Sequence, residues 1–173
     1  MTKVNELMKE NSGKQFEITR VINAPRELVF KVLTQAEHLV HWWGPKGFPM
    51  DVAKIDLRPG GMFHYCMKSP DGFEMWGRFV YEDIIAPERI VFVSSFSDAE
   101  GNITRAPMSE IWPLEVHNTM TLTEHEGKTT LTLRGGPINA TAEERQLFED
   151  SFANMQQGFG GTFDQLDTYL TTL

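Results

Sequence analysis

The hydrophobic pattern of the chain changes period twice. From Phe16 to Asn23 apolar and polar residues alternate as they do along a strand. Ala24-Pro25 then opens a helical stretch, with proline in the first turn, where its missing N–H costs little. Leu28, Val29, Val32 and Leu33 recur there at helical spacing. A second short helix is expected over 36–43, stopped by the breaker pair Gly44-Pro45. Residues 1–14 are polar apart from Val4, Leu7 and Met8 and read as a mobile tail, which leaves 15–173 as a single domain.

The next hundred residues read as successive strands: FPMDVAKIDLRPG, GMFHYCMK, FEMWGRFVYEDII, RIVFVSSFS, LEVHNTMTLTEH and KTTLTLRG. Turn chemistry separates them at Pro59-Gly60-Gly61, Pro70-Asp71-Gly72, Ala86-Pro87-Glu88 and Glu126-Gly127. Links this short favour an antiparallel meander over crossover units. Phe63, Tyr65 and Met67 share one face of their strand, as do Met120 and Leu122, and Leu131 and Leu133. The opposite faces are largely polar, so another element must cover the apolar one.

The last segment supplies that cover. Thr141-Ala142-Glu143-Glu144 has capping-box spacing, and Phe148, Phe152, Met155, Phe159, Phe163, Leu166 and Leu170 then repeat at three- and four-residue intervals. An unbroken helix of about thirty residues would reach roughly 45 Å, enough to cross a whole sheet. The expected architecture is α+β: a strand, two short helices, about six antiparallel strands and one long C-terminal helix. A sheet curved around a helix leaves room for a cavity between them. Ser97–Ile111 fits no element and reads as a long surface loop.

Charge narrows the partners. With 24 acidic and 16 basic residues the formal charge is −8, and no Lys/Arg cluster offsets it, which argues against nucleic acid. No apolar run approaches the roughly 20 residues that span a bilayer, so membrane insertion is not expected. The start of the chain lacks a secretory pattern, and the lone Cys66 allows no internal disulfide; both suit a cytoplasmic location.

Reactive constellations are sparse. His38 and His41 lie three apart on a helix, but His64, His117 and His125 complete no recognisable zinc spacing, so no metal site is expected. Cys66 and His64 share a strand face without an orienting third group, and a structural thiol is the simpler reading. Neither Gly60-Gly61 nor Gly135-Gly136 opens a phosphate-binding loop, and no cofactor is implied. What stands out is the supply of soft and aromatic side chains, 12 Phe, 4 Trp, 3 Tyr and 9 Met, which serve a core and also an apolar pocket.

Four stretches, in this order and spacing, carry a family resemblance. They are Trp42-Trp43-Gly44-Pro45, Asp56-Leu57-Arg58-Pro59-Gly60-Gly61, Ala86-Pro87-Glu88-Arg89-Ile90-Val91-Phe92 and Gln157-Gly158-Phe159 with Leu166 beyond. Over roughly Phe16 to Leu170 the chain resembles the Hsp90-ATPase-activator-like branch of the Bet v 1/START (SRPBCC) superfamily. The resemblance implies a helix-grip fold, a curved antiparallel sheet wrapped around the long C-terminal helix. These motifs themselves read as fold-defining rather than catalytic, with Arg58 and Glu88–Arg89 pairing with charges to pin their turns.

By strand face and by the family's geometry, the candidate lining is Trp43, Phe63 and Tyr65 on one side and Met75, Phe79 and Phe92 beyond them. Trp112, Met120, Met155 and Phe159 complete it, with His117 or Tyr65 supplying an orienting hydrogen bond. The leading expectation is a non-enzymatic carrier or sensor for a small hydrophobic molecule. The resemblance leaves two others open: an enzyme of polyketide cyclase/dehydratase type, and a protein–protein module such as an Hsp90-type chaperone partner. A homodimer is compatible with all three. Gly158, Gly160 and Gly161 are more glycine than the family carries there, implying either close helix–sheet packing or a kink at a pocket mouth.

Overall fold

The computed structural model describes residues 14–173, so the expected tail falls outside the described residues except for Lys14. Strand β1 (Phe16–Ile22) is followed by helices α1 (Arg26–Thr34) and α2 (Ala36–Leu39). Strands β2 (Met50–Ile55), β3 (Met62–Lys68), β4 (Glu74–Ile85), β5 (Arg89–Ser97), β6 (Glu115–His125) and β7 (Lys128–Ile138) come next. Helices α3 (Ala142–Asp150) and α4 (Phe152–Leu170) end the chain. The strands form one 7-stranded antiparallel sheet in the order β1-β7-β6-β5-β4-β3-β2, a meander that β1 extends by pairing with β7. The sheet curls as a half-barrel, and this is the expected helix-grip α+β fold.

Alternation decides which residues meet the helix. Phe63, Phe79, Phe92, Met120, Leu122, Leu131 and Leu133 face inward and join Phe148, Phe163 and Leu166 in one core. Phe16 stacks on Phe159 with ring centroids 5.6 Å apart, tying β1 to α4. Arg20 on β1 also bonds Asp167, at 3.0 Å, and Asp164 on that helix.

The turn glycines have separate jobs. Gly60 sits at φ +82°, where a side chain is strained, and its N–H donates to the Tyr81 carbonyl at 2.7 Å. A Cβ on Gly61 would fall 2.0 Å from the Asp56 carbonyl oxygen, so the turn folds only around a bare backbone. Arg58 bonds Asp56 at 2.8 Å, but both side chains are well exposed and the pair adds little.

Three expectations need correcting. The C-terminal helix is not continuous: it breaks at Ser151, whose hydroxyl turns back to the Leu147 carbonyl at 2.7 Å and disturbs the ladder. The capping box at Thr141 and Glu144 is present and starts only the first piece. The second helix ends at Leu39 rather than residue 43, and its last turn tightens as Trp42 and Trp43 both donate to the Leu39 carbonyl. The 97–111 segment is also more ordered than a loose loop. Asp98 accepts from the backbone of Glu100 and Asn102, while Arg78 and His64 hold the Gly101 and Asp98 carbonyls from the sheet.

Candidate functional site

The site begins with Trp42-Trp43-Gly44. Trp42 is 1 % exposed and donates its indole N–H to the Val32 carbonyl at 3.0 Å, anchoring the end of α2 in the core. Gly44 adopts φ +104°, which reverses the chain there. Its carbonyl accepts from Thr162 at 3.0 Å and from Gln165 at 2.7 Å, both on α4. The turn and the helix are thereby bolted together, and Trp43 is left projecting between sheet and helix.

Around Trp43 the interior is incompletely filled. A cavity of about 180 Å³ is walled by Trp43, Tyr65, Phe79 and Phe92 on one side and by Trp112, Pro113 and Phe159 on the other. A second, of about 230 Å³, lies across the same Trp43, Tyr65 and Phe159 and adds Met67, Met155 and Thr162. A small third space of about 20 Å³, bordered by Leu33, Tyr81 and Met120, sits deeper. The aromatic wall is continuous: Trp43 meets Phe79 edge-on at 5.5 Å, and Phe79 stacks on Phe92 at 4.3 Å.

One end of the first cavity is polar. Asn118 on β6 and Ser94 on β5 line it, beside Val116 and Leu133. The Asn118 amide nitrogen donates to Ser94 Oγ at 3.0 Å and to the Val116 carbonyl at 2.9 Å. A carbonyl can only accept, so the amide is fixed with nitrogen toward Val116 and Oδ1 turned the other way. Gly135 makes room for this: a Cβ there would come 2.5 Å from Asn118 Oδ1.

Of the candidate residues, the first cavity brings together Trp43, Tyr65, Phe79, Phe92, Trp112 and Phe159. Met155 lines the second and Met120 the third. Phe63 is 1 % exposed and packs behind the lining, stacked on Tyr65 at 4.8 Å. Met75 sits opposite Met67 in the β3–β4 register, without lining any of the three spaces. His117 is a correction. Its neighbours Val116 and Asn118 face the cavity, so alternation turns the imidazole to the outer face of the sheet. There it is buried with Nε2 unpartnered, and burial lowers its pKa against the opposing pull of Glu82.

Tyr65 does face the cavities. Burial pushes its phenol up to about 12, with a hydrogen bond from the Trp43 side chain acting in the other direction, so it stays neutral at physiological pH. His38 and His41 bracket Tyr169: His38 Nδ1 lies 2.7 Å from the phenol oxygen, and the His41 ring stacks at 5.1 Å. Among the described residues no group of three or more potential ligands could hold a metal ion. Cys66 is buried, and burial raises its thiol pKa. No helix among the described residues is long and apolar enough to cross a membrane.

The geometry agrees with what the chain is similar to. Protein Ms6760 from Mycobacterium smegmatis is 30% identical, with 92% of this chain and 91% of that one aligned at a TM-score of 0.73. A protein from Arthrobacter aurescens is 26% identical over 92% of this chain and 87% of its own, at a TM-score of 0.75. A Rhodobacter sphaeroides protein, 21% identical, shares the fold at a TM-score of 0.75 over 94% and 96%. No curated protein matches. The family model described as activator of Hsp90 ATPase homolog 1-like protein matches residues 23–171, and the chain belongs to that family.

Proposed function

We propose that this protein is a non-enzymatic carrier or sensor that encloses a small apolar molecule between its sheet and α4. The observation that carries the reading is the unfilled, aromatic-walled space around Trp43. The aromatic side chains around this space of about 180 Å³ lack packing partners on the side that faces it, and contacts forgone there cost energy. A guest that restores the missing contacts recovers part of that energy. A dry apolar cavity of about 150 Å³ is already large enough to take benzene.

The same geometry gives the enzyme reading less support. Tyr65 faces the cavity but is held neutral, and His117 faces away, so neither is placed as a general base toward a guest at neutral pH. The chaperone-partner reading draws on the family's description and on Met108, Ile111 and Leu114, which are exposed along one loop. Titration with an Hsp90-type chaperone tests that second reading.

The carrier reading is tested by following tryptophan fluorescence while indole, naphthalene and linear alkanols are titrated in. Trp43 and Trp112 both wall the cavity, so saturable quenching is expected, reduced in the Trp43→Phe and Trp112→Phe variants. Quenching that neither variant alters, or none at all, counts against it.

A further inference from the structure

We infer that the polar end of the first cavity, Asn118 with Ser94, selects a neutral single-ring guest bearing one group that both donates and accepts a hydrogen bond, such as a phenol. The inference rests on the carrier reading and names the class of molecule. Inward positions of β5 and β6 are otherwise apolar: Ile90 and Phe92 precede Ser94, and Val116 and Met120 flank Asn118. Two polar side chains set diagonally on such a wall, Ser94 opposite Val116 and Asn118 opposite Phe92, are costly unless their hydrogen-bonding capacity is used.

Their unspent capacity is specific. Asn118 uses its nitrogen on Ser94 Oγ and the Val116 carbonyl, which leaves Oδ1 as an acceptor. Ser94 accepts from that nitrogen, and its own hydrogen has only the Val116 carbonyl at 3.5 Å, too long to hold it firmly. The pair therefore offers an acceptor on the β7 side of the Asn118 amide and a donor on its β5 side, which one bridging hydroxyl can use together. A guest hydroxyl gives its hydrogen to Oδ1 and takes one from Ser94, whereas a plain hydrocarbon leaves both groups unsatisfied. No charged residue is among the side chains lining this cavity, so a carboxylate would be buried without a counter-ion. About 180 Å³ sets the size at one ring with a small substituent.

Three probes of one shape separate the possibilities: p-cresol, toluene and p-toluate, titrated by calorimetry at neutral pH into the full chain, Asn118→Leu and Ser94→Ala. The expected result is p-cresol binding about tenfold more tightly than toluene, with no saturable p-toluate binding. Each variant should erase that preference while still binding toluene. Ser94→Ala removes only one oxygen, so it answers the question even where Asn118→Leu fails to fold. Toluene or p-toluate binding as tightly as p-cresol, or variants that keep the preference, overturns the assignment and leaves the carrier reading standing. Failure of all three probes overturns both.

Discussion

The ring of Tyr65 lies against the backbone of Gly77 on the neighbouring strand. The two are register partners in β3 and β4, and a Cβ built on Gly77 would sit 2.5 Å from the phenol oxygen and 2.6 Å from the carbon bearing it. The missing side chain is what lets a large ring fold down and still leave space beside Trp43. Gly77→Ala should push Tyr65 into the cavities it borders, destabilising the protein by about 1–3 kcal/mol through overpacking. Denaturant midpoints of Gly77→Ala, Tyr65→Val and the double variant check this. The alanine should cost much less once the ring is gone, and equal costs in both backgrounds would contradict the packing.

His117 gives a pH dependence that does not involve the cavity. Its folded-state pKa is depressed by burial, so the unfolded chain binds the proton more readily. The stability this group contributes is complete above its ordinary value of 6.5 and is lost as pH falls below it. His117→Val should therefore flatten the decline in stability between roughly pH 7 and pH 5. Because the ring lies on the outer face, affinity for an apolar guest should not change. Unfolding curves at several pH values, with a toluene titration at each, measure both effects.

How the sequence announced the site differs from residue to residue. Tyr65, Phe79, Phe92 and Phe159 are legible because aromatic residues at strand or helix periodicity must face the covered side, and Trp43 because two adjacent tryptophans end a helical stretch where it meets the sheet. Counting residues along β6 would also have turned His117 away and exposed Asn118, a polar residue in the inward series Val116, Asn118, Met120, Leu122. Ser94 interrupts its own series in the same manner. The break at Ser151 was hidden because the apolar repeat runs on through it, and one hydroxyl decides the backbone there. The role of Thr162 and Gln165 could not be read from a pattern at all, since their acceptor at Gly44 is more than a hundred residues away in the chain.

The helix glycines are a separate case. Both expectations for them assumed a mechanical reason, yet α4 runs unbroken from Phe152 to Leu170, and a Cβ on Gly158, Gly160 or Gly161 meets nothing within 4 Å. Close packing is thus not their purpose, and each still lowers helix propensity by about 1 kcal/mol relative to alanine. Replacing all three with alanine should raise stability by roughly 2–3 kcal/mol, with a higher Tm. A loss of stability would contradict the open space around these positions.

The loop before β6 is held to α3 by an arginine and a tryptophan. Arg105 bonds the Glu144 carboxylate and, at 3.2 Å, the Trp112 carbonyl, while Trp112 packs on Phe148 at 5.5 Å. Glu144 also closes the capping box, accepting the Thr141 N–H at 2.8 Å. Since Trp112 walls the first cavity, Arg105→Ala should loosen that wall, at a cost of about 1 kcal/mol because the arginine is half exposed. Amide hydrogen exchange should quicken across residues 105–113. Unchanged exchange would mean that other contacts hold the loop.

Xenon-pressurised crystals provide the most direct measurement. The gas enters dry apolar cavities and needs no chemical match to a natural guest. Anomalous peaks are expected among Trp43, Phe92 and Phe159, disappearing when Leu133→Trp fills the space. Crystals that take up xenon only at the surface, with side chains of β5, β6 and α4 closed over the interior, would contradict it.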